Sequence, residues 1–144
     1  MKKMLVTDAL SAKDLELLEA AREALQKMYR PKQHCLSSAL RTKEGKVFVG
    51  LHIGAKVGNC AICAEAVALG IALSAGEQEF DTIVAVQYNR LSKTTIVVSP
   101  CGRCRELLGE YGDIMVILST AGRLGKISVR SLLPYPYLDP MGMA

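Results

Sequence analysis

Cys60-Ala61-Ile62-Cys63-Ala64-Glu65-Ala66-Val67-Ala68-Leu69 and, further on, Ser99-Pro100-Cys101-Gly102-Arg103-Cys104-Arg105 are the two segments from which architecture and chemistry can both be read. Each holds a C-x-x-C pair that runs into helix-forming sequence. Four cysteines so spaced suggest a closed tetrathiolate zinc site, which is commonly structural. The local sequence favours another arrangement. Residues 64–75 are Ala- and Leu-rich and predict a helix ending near Gly76, with Cys63 at its start. Ser99 as N-cap and Pro100 at the first helical position predict a second helix, with Cys101 and Cys104 in its first turn. Cysteines at two helix N-termini face the positive ends of the backbone dipoles, which favour thiolate. Glu65 sits in the first turn of an otherwise apolar helix, where a carboxylate is costly unless solvated or given a task. With Cys63, Cys101 and Cys104 on zinc and the fourth position open to water, Glu65 is placed to handle that water's proton. Cys60 is then spare.

The flanking sequence predicts an α/β layered domain. Ser11 and Asp14 form a helix-capping signal, and Leu18, Ala21, Leu25 and Met28 make a helical stripe that Pro31 ends. Residues 34–41 and 46–53 read as a hairpin joined at residues 42–45. A loop at 54–59 leads towards the first cysteine helix. Residues 82–88, 94–98, 114–118 and 126–130 are further strand candidates, with a turn at 121–125 and one helical turn at 131–133. Whether 82–88 and 94–98 are separate strands stays open. Strands alternating with helices place a mixed sheet between helical layers.

Composition excludes several classes. The chain has 144 residues, 50% hydrophobic and 22% charged, which is incompatible with intrinsic disorder. This length predicts a single domain over residues 1–144, large enough to bury a core without disulfides. The net charge of +4 is scattered, aromatics are 5% and Trp is absent. These values argue against a nucleic-acid or anionic-membrane partner. The basic start, residues 1–8, lacks the apolar stretch of a secretory signal. The longest apolar stretch, residues 60–76, is broken by Glu65 and falls short of the ~20 residues a membrane span needs. A cytoplasmic location is expected. Mean hydropathy is +0.21, which leaves room for apolar surface buried between subunits.

Cys63-Ala64-Glu65 followed by Pro100-Cys101-Gly102-Arg103-Cys104 closely resembles the cytidine deaminase family, in its three-cysteine, homotetrameric form. The resemblance spans residues 29–134 or so. It implies a three-layer α/β/α fold with a mixed five-stranded sheet, Zn²⁺ as cofactor, and hydrolytic deamination of a small aminated pyrimidine-type substrate. It further implies that Glu65 carries the proton from water to the ring nitrogen N3, while C4 is attacked and ammonia departs. The backbone around Ala64 and Ser99 would contact the base, and a homotetramer would form.

The departures from the family pattern concern charge and sugar. Typical members carry Arg after the catalytic Glu; here it is Ala66, and Arg103, Arg105 or Arg90 is left to offset three thiolates on Zn²⁺. Typical members carry Asn-x-Glu on the second hairpin strand to bind ribose; here that register reads His52-Ile53-Gly54. The base-stacking aromatic position falls on or near His34. His34 and His52 are thus substrate-binding candidates. Residues 65–70 and 100–105 look more like blasticidin S deaminase, whereas the loop between His52 and Cys63 has the length of ordinary cytidine deaminases. Alternative readings are a blasticidin S or modified-nucleoside deaminase, and a non-catalytic zinc-containing ligand-binding module. A nucleic-acid editing deaminase would need a basic groove. Cys35 is expected to be a small core residue. Tyr135 and Tyr137, in a Pro-rich tail, either lid a neighbour's pocket or pack on the surface.

Overall fold

The computed structural model describes residues 10–141; the start at residues 1–8, read above for a secretory signal, lies outside them. The elements are α1 (Ala12–Met28), β1 (Leu36–Thr42), β2 (Val47–Leu51), a 3-10 turn (Gly58–Cys60), α2 (Ala64–Ser74), β3 (Phe80–Asn89), β4 (Thr94–Val98), α3 (Gly102–Glu110), β5 (Met115–Thr120), β6 (Arg123–Ser128) and a last 3-10 turn (Val129–Leu132).

The sheet has six strands where five were expected, and the architecture is α/β/α as expected. Its order is β2-β1-β3-β5-β6, with β4 also on β3. The extra strand arises because β3 is long enough to serve two partners along one edge. Residues 82–84 pair in parallel with β5, and Ala85 to Asn89 pair antiparallel with β4. The segments at 82–88 and 94–98 are therefore separate strands.

Alternation along the strands divides the core. Ala39, Val84, Val86 and Ile117 face α1, packing on Leu17, Leu18, Ala21 and Leu25. Leu40, Ile83, Val116 and Leu118 face the other way, against Ala68, Leu69 and Ala72 of α2 and Leu108 of α3. Met28, expected on the buried stripe of α1, is 51% exposed at the helix end.

Two local features place the helices. The capping box of α1 forms as expected: the Asp14 N–H donates to Ser11 Oγ (3.2 Å), and the Ser11 N–H donates to Asp14 Oδ2 (3.0 Å). Asp14 is fully buried and also accepts from Arg41 (2.8 Å) and Lys126 (3.0 Å), so α1, β1 and β6 meet at one carboxylate. On the opposite face, α2 lies directly on β2 because residue 50 is glycine. A Cβ there would fall 2.3 Å from the Ala68 nitrogen and 2.7 Å from the Ala64 oxygen. The last hairpin is tighter than expected. Ala121 (φ 49°) and Gly122 (φ 77°) both take left-handed backbone, so β6 starts at Arg123 rather than at Lys126.

Candidate active site

The cysteines assemble through helix starts. Cys63 is the N-cap of α2 and Cys101 the N-cap of α3, both with extended backbone and neither spending its side chain on capping. The second helix thus begins two residues later than Ser99 and Pro100 suggest. Cys101 takes the N-cap role because its own carbonyl accepts the first helical bond, from Arg105 N (2.9 Å). Cys104 follows in the first turn and is fully buried. The Sγ atoms of Cys63, Cys101 and Cys104 lie within 4.8 Å of one another, and Cys63 and Cys101 are 3.6 Å apart. Cys60, exposed at the end of the 3-10 turn, is outside this cluster.

The donor set fits zinc. Burial pushes the Cys63 thiol up, and burial with the Glu65 carboxylate beside it pushes Cys104 up further. Burial also acts against ionising Cys101, but bonds from the Cys104 backbone and from the Cys104 and Cys63 thiols outweigh it and hold Cys101 low. Three thiols this close cannot all ionise unless a cation offsets them, and three soft sulfur donors at two positive helix ends suit Zn²⁺ with one open position.

Glu65 is 6% exposed in the first turn of α2. Burial raises its pKa, against the lowering effect of its own backbone N–H and of Cys104. It lines a cleft of about 300 Å³ together with Cys63, Cys101 and the candidates His52, Ala64 and Ser99. Ionisable carboxyl, thiols and open volume converge, an arrangement suited to moving a proton beside a metal.

The remaining candidates separate. His34 is not among the residues lining the cleft; its Nδ1 donates to the His52 carbonyl (2.9 Å). Arg103 is exposed on α3. Arg105 donates to the Pro100 carbonyl (2.8 Å), the Leu132 carbonyl (3.1 Å) and Ser99 Oγ (3.1 Å), and so braces the segment leading into Cys101. Arg90 donates to the Tyr29 hydroxyl (3.1 Å), outside the cleft lining. Cys35 is half-buried rather than in the core, its thiol directed at the Arg30 carbonyl. Tyr135 is 98% exposed, and Tyr137 borders a separate hollow beside Arg105.

Three lining residues were missed: Leu36, Gln87 and Val98. Gln87 carried a signal, as the one amide in the β-branched run 82–88.

Comparison with known proteins agrees with this geometry. Residues 11–120 match the family described as the cytidine and deoxycytidylate deaminase zinc-binding region. The chain is 41% identical to blasticidin-S deaminase of Bacillus cereus over 132 residues, covering 89% of this chain and 94% of that one. It is 32% identical to a probable cytidine deaminase of Dictyostelium discoideum, covering 81% of this chain and 78% of that one. The crystal structure of cytidine deaminase from Burkholderia pseudomallei superposes with a TM-score of 0.72 at 32% identity, covering 89% of this chain and all of the other. Cysteines capping two helices around a buried carboxyl, carried on this sheet and matched over this length, mean that the chain belongs to the zinc-binding cytidine and deoxycytidylate deaminase family.

Proposed function

We propose that this protein is a zinc-dependent hydrolase that deaminates a cytosine nucleoside or a closely related aminated heterocycle, releasing ammonia. The observation that carries this reading is the buried Glu65 beside the cluster of Cys63, Cys101 and Cys104, with Glu65, Cys63 and Cys101 lining a cleft large enough for a pyrimidine. These three cysteines would hold the metal. Zn²⁺, when bound, supplies the Lewis acidity that makes water a nucleophile near neutral pH.

Each residue of the chain then has a task. Glu65 accepts the proton and delivers it to the base; its raised pKa suits a group that must both take and give one. Ala64 and Ser99 present backbone groups to the base, and His52, supported by His34, borders the substituent side. Arg105 holds Ser99 and Pro100 in place and, with Arg103, contributes positive charge near three thiolates. The whole chain forms one domain. It works as a homotetramer in the cytoplasm, with exposed Val57, Ile62 and Ile71 as apolar surface for subunit contacts; light scattering that finds a monomer removes this assembly. Among the described residues no helix is long and apolar enough to cross a membrane.

Similarity to the Bacillus cereus protein named blasticidin-S deaminase makes that antibiotic the first alternative substrate. A screen by ultraviolet absorbance and ammonia release, over cytidine, deoxycytidine, blasticidin S, aminopyrimidines and aminopurines, tests the reading on zinc-replete protein. Release from at least one cytosine nucleoside is expected. Silence on all of them would favour a ligand-binding module.

A further inference from the structure

We propose that a second hollow, joined to the cleft across Gln87, receives an anionic group carried on the substituent of the base, and that Arg90 is the residue that binds it. This rests on the deaminase reading, and the test below separates the two.

Strand register joins the two spaces. The His52 N–H donates to the Leu36 carbonyl (2.9 Å), Leu36 pairs with Gln87, and Gln87 pairs with Ile96. Residues paired across antiparallel strands share a face of the sheet, so Leu36, Gln87 and Ile96 form a row. His52, Leu36 and Gln87 line the cleft, while Gln87 and Ile96 line a hollow of about 410 Å³ beside it. The row lies away from the metal ligands. β4 runs from Ile96 through Val98 towards Cys101, and β3, antiparallel to it, runs from Gln87 the other way. A base whose reacting amine sits at Glu65 and the cysteines thus directs its opposite end, the substituent, over Gln87.

The chemistry of the hollow suits a negative charge. Arg90 lies three residues beyond Gln87, about 10 Å along extended chain. It is the one charged residue of the lining, and no lining residue is acidic. The Arg90 Nε–H donates to the Tyr29 hydroxyl (3.1 Å), and Tyr29, at the end of α1, packs its ring on Tyr88 with 4.1 Å between centroids. Asn89 Oδ1 accepts from the N–H groups of Leu91 (2.9 Å) and Ser92 (3.3 Å), which fixes the turn that carries Arg90. The guanidinium is therefore braced through one nitrogen. Its two terminal nitrogens make no hydrogen bond and no ion pair among the described residues. That open edge matches two oxygens of a carboxylate or a phosphate, and bracing it beforehand lowers the cost of binding.

The probes are cytidine, cytidine 5′-monophosphate and cytidine 5′-carboxylic acid, which differ in the anion they carry. Calorimetry on zinc-loaded Glu65→Ala protein, which holds ligands without turning them over, gives the three dissociation constants. Ammonia release by the wild type is followed on the same three. At least one anion is expected to bind about tenfold or more tighter than cytidine, and which one does separates a nucleotide from a sugar acid as the source. Adding Arg90→Gln is expected to bring the anion within about twofold of cytidine, and salt at about 0.5 M to shrink the preference, because Arg90 is exposed. A preference that survives Arg90→Gln overturns the proposal, as does failure of all three probes to bind at millimolar concentration. Should Glu65→Ala lose its zinc, the ratios of kcat/KM on the chain that keeps Glu65 decide. Ammonia release from cytidine with no preference for either anion overturns the anion site and leaves the deaminase reading standing. An Arg90-dependent preference with no release from any probe does the reverse.

Discussion

Glu65 and the cysteines show how much chemistry follows from position within one helical turn. Cys63 and Cys101 are N-caps whose side chains make no capping bond, so the helix starts present sulfur instead of a hydroxyl or carboxylate. Cys104 reaches the same point from inside α3, and Cys60, three residues before Cys63 but on a different element, does not. Replacing Cys104 with Ser is accordingly expected to abolish stoichiometric zinc, whereas Cys60→Ser retains it, as read by metal analysis of the purified proteins. Zinc loss from Cys60→Ser would restore the tetrathiolate reading. This grouping was legible in the sequence because helix-start signals and C-x-x-C spacing are local. Leu36, Gln87 and Val98 were not, since they meet only through sheet register, Leu36 opposite Gln87 and Val98 opposite Ala85. Arg105 could not be told from Arg103 for a similar reason. Its acceptor on Leu132 lies 27 residues away, and its turn towards Ser99 depends on a helix that starts at Cys101, not at Ser99.

At the scale of elements, the approach of α2 to β2 governs where Cys63 and Glu65 stand. Gly50 permits it, and nothing in the strand pattern around residue 50 revealed that a helix backbone would come so close. Gly50→Ala is expected to destabilise the fold by more than the ~1–3 kcal/mol typical of overpacking, because the obstructing atoms are backbone. Thermal unfolding measures that cost. The activity of whatever folds should fall too, as α2 shifts. An unchanged melting temperature would show that β2 and α2 can part more readily than a 2.3 Å approach to the Ala68 nitrogen implies. The strands themselves were largely readable from β-branched runs and turn residues. The ends were not: β6 begins early because a two-residue turn at Ala121 and Gly122 suffices, and Leu124 and Gly125 join the ladder.

Across the whole molecule, Asp14 ties the first helix to the two sides of the sheet. Burial alone would raise its pKa, but Arg41, the Ser11 N–H and Lys126 outweigh burial and hold it far below the usual carboxylate range. A carboxyl depressed on folding adds stability above its unfolded pKa, about 4, and that stability drains away as pH falls towards the folded value. Asp14→Asn should therefore lower stability at pH 7 by about 3 kcal/mol, leaving Asp81 as the acidic partner of Arg41 among the described residues. Denaturant unfolding at pH 7 and pH 3 should find the gap between variant and wild type narrowing in acid; a constant gap would mean that Asp14 contributes by packing alone. The Asp14 cluster thus ties α1 to the sheet, and on the proposed mechanism the chemistry of the cleft depends on one carboxylate, Glu65. Ammonia release by wild type and by Glu65→Gln, each loaded with equal zinc and given the best nucleoside from the screen, isolates that dependence. A loss of about 10²–10⁴-fold in kcat with zinc retained is the expected result. Equal rates in the two proteins would contradict the mechanism built on Glu65.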